Sequence, residues 1–370
     1  MRILHLLNDI QAIGNGIINV AIDLACLQAQ AGHSVVVASA GGEYDRLLST
    51  YGVQTMLLDQ RRRPLSLARA AKAYRSLVQT FQPEIVHAHM MTGVILAWAL
   101  RGRSRYGLVS TVHNEFQRSA ILMGIADRVI AVSQAVARSM QQRGVPPQKL
   151  RVVCNGTLGS PREQVKTLPS VVLQRPAIAT IAGMYHRKGI ADLIAAFAHL
   201  ADAFPAAHLY LIGNGPDRPQ FEALAASTAV SSQIHFEGYQ PEPQRYLRET
   251  DIFVLASRQE PFGLVLSEAR EAGCAIVASD VDGIPEALDQ GAAGLLVPAM
   301  NPTALADAIA PLLRDPDVLE RWKTRSRQNL DWLSVTRVAA ETLAVYAELV
   351  AQYPGHSTVT WSAPDSVNPP

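Results

Sequence analysis

The sequence predicts an α/β chain made of two doubly wound parallel sheets, from its length, its alternation of short apolar runs with amphipathic stretches, and one break in that alternation. At 370 residues the chain is too long for one ordinary core and suits two domains of typical size. Hydrophobic residues at 48% and charged residues at 18% describe a globular protein rather than a disordered one. The first strand spans Arg2 to Leu7, followed by a glycine-bearing loop from Asn8 to Gly16, a helix from Ile17 to Ala31 stopped by Gly32, and a strand from Ser34 to Ala38. Further strands are expected at Ile85 to His89, Leu108 to His113, Val129 to Val132 and Leu150 to Cys154, with helical segments between them. Pattern is lost from Asn155 to Arg175, where Gly156, Gly159, Pro161 and Pro169 punctuate a polar stretch. It restarts with strands at Ala177 to Ala182, Leu209 to Ile212, Ile234 to Glu237, Asp251 to Ala256, Ala275 to Ala278 and Leu295 to Val297. Alternation of this kind places helices on both faces of a parallel sheet. The expected division is a first domain over 1–160, a linker over 161–175, a second domain over 176–334, a final helix over 335–352 and a disordered tail over 353–370. Two such domains are expected to face a common cleft with their strand ends.

Charge and cysteine usage exclude several classes. A net charge of +1 offers no global attraction to nucleic acid, and no nucleic-acid partner is expected. Two local basic clusters, Arg61-Arg62-Arg63 and Arg101-Gly102-Arg103-Ser104-Arg105, read either as solvated loops or as a patch for anionic lipid headgroups. The longest uncharged apolar stretch, Met90 to Leu100, has eleven residues, whereas a bilayer span needs about 20. With a strand expected from Arg2, no signal peptide is expected. Cys26, Cys154 and Cys274 are odd in number and far apart, the pattern of a reduced protein without a zinc site. The expected location is cytoplasmic, with the inner face of the membrane as an extension of it.

The segment richest in chemistry is Ser257-Arg258-Gln259-Glu260-Pro261-Phe262-Gly263-Leu264-Val265-Leu266-Ser267-Glu268-Ala269. An apolar strand precedes it, and Pro261-Phe262-Gly263 marks the passage into a helix, so Glu260 falls in the loop and Glu268 in the second helical turn. At about 100 degrees per residue, Val265, Ala269 and Ala272 share a buried face, with Glu268 at its margin and Arg270 and Glu271 outside it. A carboxylate at such a margin needs partners, and ligand hydroxyls would serve. The free N–H groups of Phe262, Gly263 and Leu264 at the helix start form a seat for phosphate.

These residues closely resemble the Glu-x-Phe-Gly-(four residues)-Glu signature of the family-four glycosyltransferases, retaining enzymes that use nucleotide sugars and have the two-lobed GT-B fold, with two Rossmann-like domains. The resemblance implies that Glu268 binds the ribose hydroxyls, that Glu260 binds hydroxyls of the donor sugar, and that the Phe262-Gly263-Leu264 backbone meets sugar and phosphate. It also implies that the final helix crosses back to the first domain. Gly183-Met184-Tyr185-His186-Arg187-Lys188-Gly189 resembles the family loop that offers an arginine and, five residues on, a lysine to the diphosphate. Lys188 matches, but Gly183 stands at the arginine position, so Arg187, His186 or Arg258 is the candidate replacement.

Other candidates are less specific. Gly14-Asn15-Gly16 opens a helix near where the resemblance puts the donor diphosphate or the acceptor, but Asn19 stands at the third glycine of a dinucleotide fingerprint, so a nicotinamide cofactor is not expected. His113 ends a strand, and Thr111-Val112-His113 resembles the family segment whose histidine approaches the donor sugar. His87 and His89 are read as alternating across a strand, so that one faces the cleft, with His89 preferred. Phe236-Glu237-Gly238-Tyr239 lies where the family accommodates the base, largely through backbone groups. Asp280-Val281-Asp282 is read as part of a turn resembling the family's Gly-Gly-x-Pro-Glu, with Asp282 replacing the first glycine, rather than as a metal motif.

The expected activity is transfer of a hexosyl group from a UDP-sugar or GDP-sugar to a saccharide or lipid-linked saccharide, with retained configuration and with no cofactor or metal. The family's commonest setting is surface polysaccharide, lipopolysaccharide or glycolipid synthesis. Lys188 and the helix start would stabilise charge on the leaving diphosphate, and domain closure would exclude water. An epimerase or phosphorylase on the same scaffold, or a non-catalytic nucleotide-sugar-binding protein, are the alternatives.

Overall fold

The computed structural model describes residues 1–60, 64–163 and 171–351. The Arg61-Arg62-Arg63 cluster, residues 164–170 of the expected linker and the tail lie outside the described residues. The chain forms two compact units, the first of residues 1–131, 140–153 and 339 onward, the second of 132–139 and 154–338.

The first unit is built on strands β1 (Arg2–Leu6), β2 (Ser34–Ser39), β3 (Gln54–Leu57), β4 (Ile85–Ala88), β5 (Gly107–Val112), β6 (Arg128–Ala131) and β7 (Leu150–Val152). They form a seven-stranded sheet in the order β3-β2-β1-β4-β5-β6-β7, with all pairs parallel. The inner strands β1, β2, β4, β5 and β6 are largely apolar because a parallel sheet is covered on both faces. β3 was not anticipated: it is an exposed edge strand, with Leu57 74% exposed, and carries no buried alternation to betray it. The last helix, Val335–Val350, enters the first unit at Ala339 and is tied there by Glu348, which bridges Arg128 at 3.1 Å and Arg151 at 2.7 Å.

The second unit contains β8 (Ala177–Ile181), β9 (His208–Ile212), β10 (Ile234–Gly238), β11 (Ile252–Leu255), β12 (Ala275–Ser279) and β13 (Leu295–Val297). These are parallel in the order β10-β9-β8-β11-β12-β13. Leu193 and Phe197 from the helix Ile190–Leu200, and Ile309 and Leu312 from the helix Pro302–Arg314, bury against Leu211 and Val254 of this sheet. In both sheets the strand order reverses once, between β1 and β4 and between β8 and β11. Crossovers leave to opposite faces at such a point and open a crevice beyond the carboxyl ends of the strands.

The helix Leu264–Ala272 departs from the expected face. Leu266, Ser267, Ala269 and Arg270 are its buried residues, and Arg270, expected outside the stripe, is fully buried. Its guanidinium tolerates this because every arm is answered: it donates to the carbonyls of Ser326 at 3.0 Å, Ala287 at 2.7 Å and Gln328 at 2.6 Å, and to Asp289 at 2.8 Å.

Candidate active site

The β8/β11 reversal is where the second unit gathers its chemistry. The chain leaves β8 through Ala182 to Tyr185, makes a short turn over His186–Lys188, and enters the helix Ile190–Leu200 through Gly189. From β11 it passes through Ala256 to Gly263 into the helix Leu264–Ala272. Gly189 lets the two loops meet. Its φ is +66°, and a Cβ there would lie 1.8 Å from the carbonyl oxygen of Ala256, a distance no side chain can accept. The Arg258 N–H also donates to the Arg187 carbonyl at 2.8 Å.

Lys188 and Glu260, far apart in sequence, are thereby joined: Lys188 Nζ donates to Glu260 Oε2, with the two side chains 15% and 10% exposed. Ser257 Oγ donates to the same oxygen at 3.2 Å. The Glu260 loop is fixed from below by Asp282, whose carboxylate accepts from the Glu260 N–H at 2.8 Å, while the Gly283 N–H donates to the Glu260 carbonyl at 3.1 Å. Asp282 adopts φ +47°, so the residue in place of a glycine keeps the left-handed conformation and adds a hydrogen bond to the loop.

Gly263 caps the helix at φ +85° with no side-chain capping bond, and Phe262 is buried edge-on against Trp332 at 6.0 Å. Leu264 and Glu268 are half-buried. Of the candidates to replace an arginine at 183, Arg258 is engaged in a two-pronged pair with Asp192 at 2.8 Å for each bond, and the His186 backbone N–H donates to Asp217 at 2.8 Å while its ring Nε2 lies 3.8 Å from the same carboxylate. Arg187 places its guanidinium 5.6 Å from the centre of the Tyr185 ring, and the same ring lies 2.9 Å from where a Gly183 Cβ would stand. Tyr185 thus fills the space beside Gly183 and carries Arg187 over its face. Tyr239, 46% exposed, follows β10, whose Gly238 carbonyl accepts from the Gly213 N–H at 2.7 Å.

The first unit holds His113 and Gly16 on separate loops. Gly16 opens the helix Gly16–Gln30, and Asn15 caps it by accepting from the Ile17 N–H at 3.0 Å. His113 follows β5 and meets His89, with Nε2 3.2 Å from His89 Nδ1. The expectation that His87 and His89 face opposite ways is corrected: residues two apart in a strand share a face, and their ring centres lie 4.1 Å apart. His5 was missed, although β1 and β4 are neighbours and pair His5 directly with His87. The His5, His87 and His89 nitrogens are the one group among the described residues whose spacing, within 4.8 Å, would suit a metal ion. All six are already engaged in hydrogen bonds: with Gln28 at 2.8 Å, between His5 and His89 at 3.0 Å, with His113, and from His87 to Tyr346 at 2.5 Å and Thr111 at 2.6 Å. Burial lowers His5 to about 4 and His113 to about 3, and burial followed by neighbouring histidines holds His87 and His89 well below the ordinary value.

Both halves of the chain match known families. Residues 14–157 match the model described as Glycosyltransferase Family 4, and residues 169–329 match Glycosyl transferases group 1. The alpha-maltose-1-phosphate synthase of Mycolicibacterium smegmatis is 32% identical over 251 residues, which cover 61% of this chain and 64% of that protein, so the match spans less than two thirds of it. The lipopolysaccharide core biosynthesis glycosyltransferase LpsE of Rhizobium meliloti is 27% identical over 278 residues, covering 70% of this chain and 76% of the other. Among solved structures, Anabaena HepE in complex with UDP and glucose superposes with a TM-score of 0.76 at 19% identity, covering 92% of this chain and 99% of that one. The fold is that of the GT-B class. The chain belongs to glycosyltransferase family 4.

Proposed function

We propose that the protein is a retaining glycosyltransferase that moves a hexosyl group from a nucleoside diphosphate sugar to an acceptor hydroxyl. The observation that carries this reading is the Lys188–Glu260 pair at the β8/β11 reversal, beside a helix whose start is uncapped and whose second turn carries Glu268. Glu268 takes the ribose hydroxyls and Glu260 the donor sugar. The Phe262-Gly263-Leu264 backbone and Lys188 take the diphosphate, while Tyr239 lies beside the base. Arg187, carried on Tyr185, supplies the positive charge that Gly183 cannot. As the sugar–phosphate bond breaks, negative charge grows on the leaving diphosphate, and these donors stabilise it without a metal ion. Glu260 positions the sugar rather than attacking it, and His113 is assigned to a sugar hydroxyl. The UDP and glucose in the Anabaena neighbour favour a UDP-sugar donor.

The acceptor is a saccharide or a lipid-linked saccharide, as the lipopolysaccharide relative suggests. Among the described residues no helix is long and apolar enough to cross a membrane. Peripheral contact is supported by Trp98, 55% exposed, and by exposed Ile95 and Leu122, with Arg103 and Arg105 exposed nearby in the chain. The test is release of UDP from UDP-sugars, with acceptors either free in solution or lipid-linked in anionic vesicles. Release that depends on acceptor, resists EDTA, gives a product with the donor's anomeric configuration and is faster on vesicles is expected. Product formed without any acceptor, or only with free phosphate, would instead identify an epimerase or phosphorylase.

A further inference from the structure

We propose that the hydrogen-bond chain Gln28–His5–His89–His113 fixes the tautomer of His113, keeping Nε2 protonated and presenting Nδ1 as a lone-pair acceptor for a substrate hydroxyl. The ligand part of this inference rests on the proposed assignment of His113 to the donor sugar; the tautomer part rests on the hydrogen-bond chain with the Gln28 amide oxygen turned toward His5. A neutral imidazole has one N–H and one lone pair, so each link dictates the next. Gln28 Oε1 can only accept, so His5 Nε2, 2.8 Å away, carries a proton and donates. His5 Nδ1 is then a lone pair and must accept from His89 Nε2 at 3.0 Å. His89 Nδ1 must in turn accept from His113 Nε2 at 3.2 Å. What remains at the end is His113 Nδ1, unprotonated.

A second branch starts from the other side of the same amide. Gln28 Nε2 donates to the Tyr346 hydroxyl oxygen at 3.4 Å, the hydroxyl donates to His87 Nδ1 at 2.5 Å, and His87 Nε2 donates to Thr111 Oγ1 at 2.6 Å. Each group in both branches has the partner its polarity requires. The network has only two complete orientations, and turning the Gln28 amide over would reverse every bond in both. Burial opposes a charge on any of the rings, so no doubly protonated imidazole interrupts the order.

The consequence is selective. An outward lone pair accepts from a hydroxyl but repels a phosphate oxygen, which also only accepts. His113 so oriented accepts from a sugar hydroxyl and disfavours a phosphate oxygen. Gln28, His5 and His89 are positioning residues that act through His113.

The experiment is NMR of protein labelled with 15N in histidine, reading which ring nitrogen of His113 is protonated, alongside turnover and UDP affinity. His113 with a protonated Nε2 and bare Nδ1 is expected in the wild type. Gln28→Leu, which removes the only acceptor at the far end, should mix or reverse that tautomer and lower turnover at least tenfold with UDP affinity within twofold. Gln28→Glu keeps an acceptor and should keep the wild-type tautomer. A wild-type His113 protonated at Nδ1 would overturn the inference without any variant, as would a Gln28→Leu protein that keeps the wild-type tautomer. The expected tautomers with undiminished turnover in Gln28→Leu would leave the chain standing and remove His113 from the donor site.

Discussion

Glu260 is held by four neighbours: Lys188 and Ser257 on its carboxylate, Asp282 on its backbone N–H and Gly283 on its carbonyl. A side chain so restrained is suited to orienting a sugar. Glu268, in the second turn of the following helix and half-buried, carries the proposed ribose assignment. The two substitutions should therefore separate. Glu268→Ala is expected to weaken nucleotide binding at least tenfold, since hydrogen bonds to a charged group contribute roughly 1.5 to 3 kcal/mol. Glu260→Ala should leave nucleotide affinity within about twofold while losing discrimination between sugars. Calorimetric titration with the nucleotide and its sugar conjugates measures both, and unchanged affinity in Glu268→Ala would remove the ribose assignment. The places of both glutamates, one in the loop and one in the helix, were legible in the sequence because a strand, a breaker and a helix frame them at a fixed spacing. The burial of Arg270 was not, since its partners are carbonyls of Ala287, Ser326 and Gln328, which only tertiary structure brings near.

Strands and helices were the most legible level. Every strand buried on both faces announced itself as a short apolar run, and only β3, exposed along its length, escaped. The histidine network escaped for another reason: His5 and His87 are neighbours through the order β2-β1-β4, which no local pattern encodes. Loop approach is equally invisible in composition, and Gly189 shows its importance. Gly189→Ala would require an L-residue at φ +66° and a Cβ 1.8 Å from the Ala256 carbonyl oxygen. Such substitutions destabilise by more than the roughly 0.4 to 1 kcal/mol by which they stabilise compatible sites, and here about 2 kcal/mol or more is expected. Thermal unfolding should show a lower Tm, with weaker donor-sugar binding as Lys188 and Glu260 draw apart. A Tm equal to wild type would mean that the two loops do not depend on this contact.

Across the whole molecule, the buried histidines tie stability to pH. His5, His87 and His89 have folded pKa values below the ordinary 6.5, so the unfolded chain binds protons that the folded one refuses. Their contribution is complete above about pH 6.5 and is lost as pH falls toward the folded values, about 4 for His5. Each costs about 1.4 kcal/mol per pH unit in that window. Their partners Gln28, Thr111 and Tyr346 bring no opposing charge. Tm should fall steadily from pH 6.5 to 5, before most carboxylates titrate; a flat profile would contradict neutral burial of the cluster. The most direct test of a donor site is thermal unfolding with UDP, GDP, ADP and their common sugar conjugates. Ligand at about 100 times its Kd adds roughly 2.7 kcal/mol of stability. A rise in Tm with one nucleotide series, expected to be UDP and larger with one sugar, is the predicted result, whereas no rise with any of them would contradict nucleotide-sugar binding at Lys188, Glu260 and Glu268.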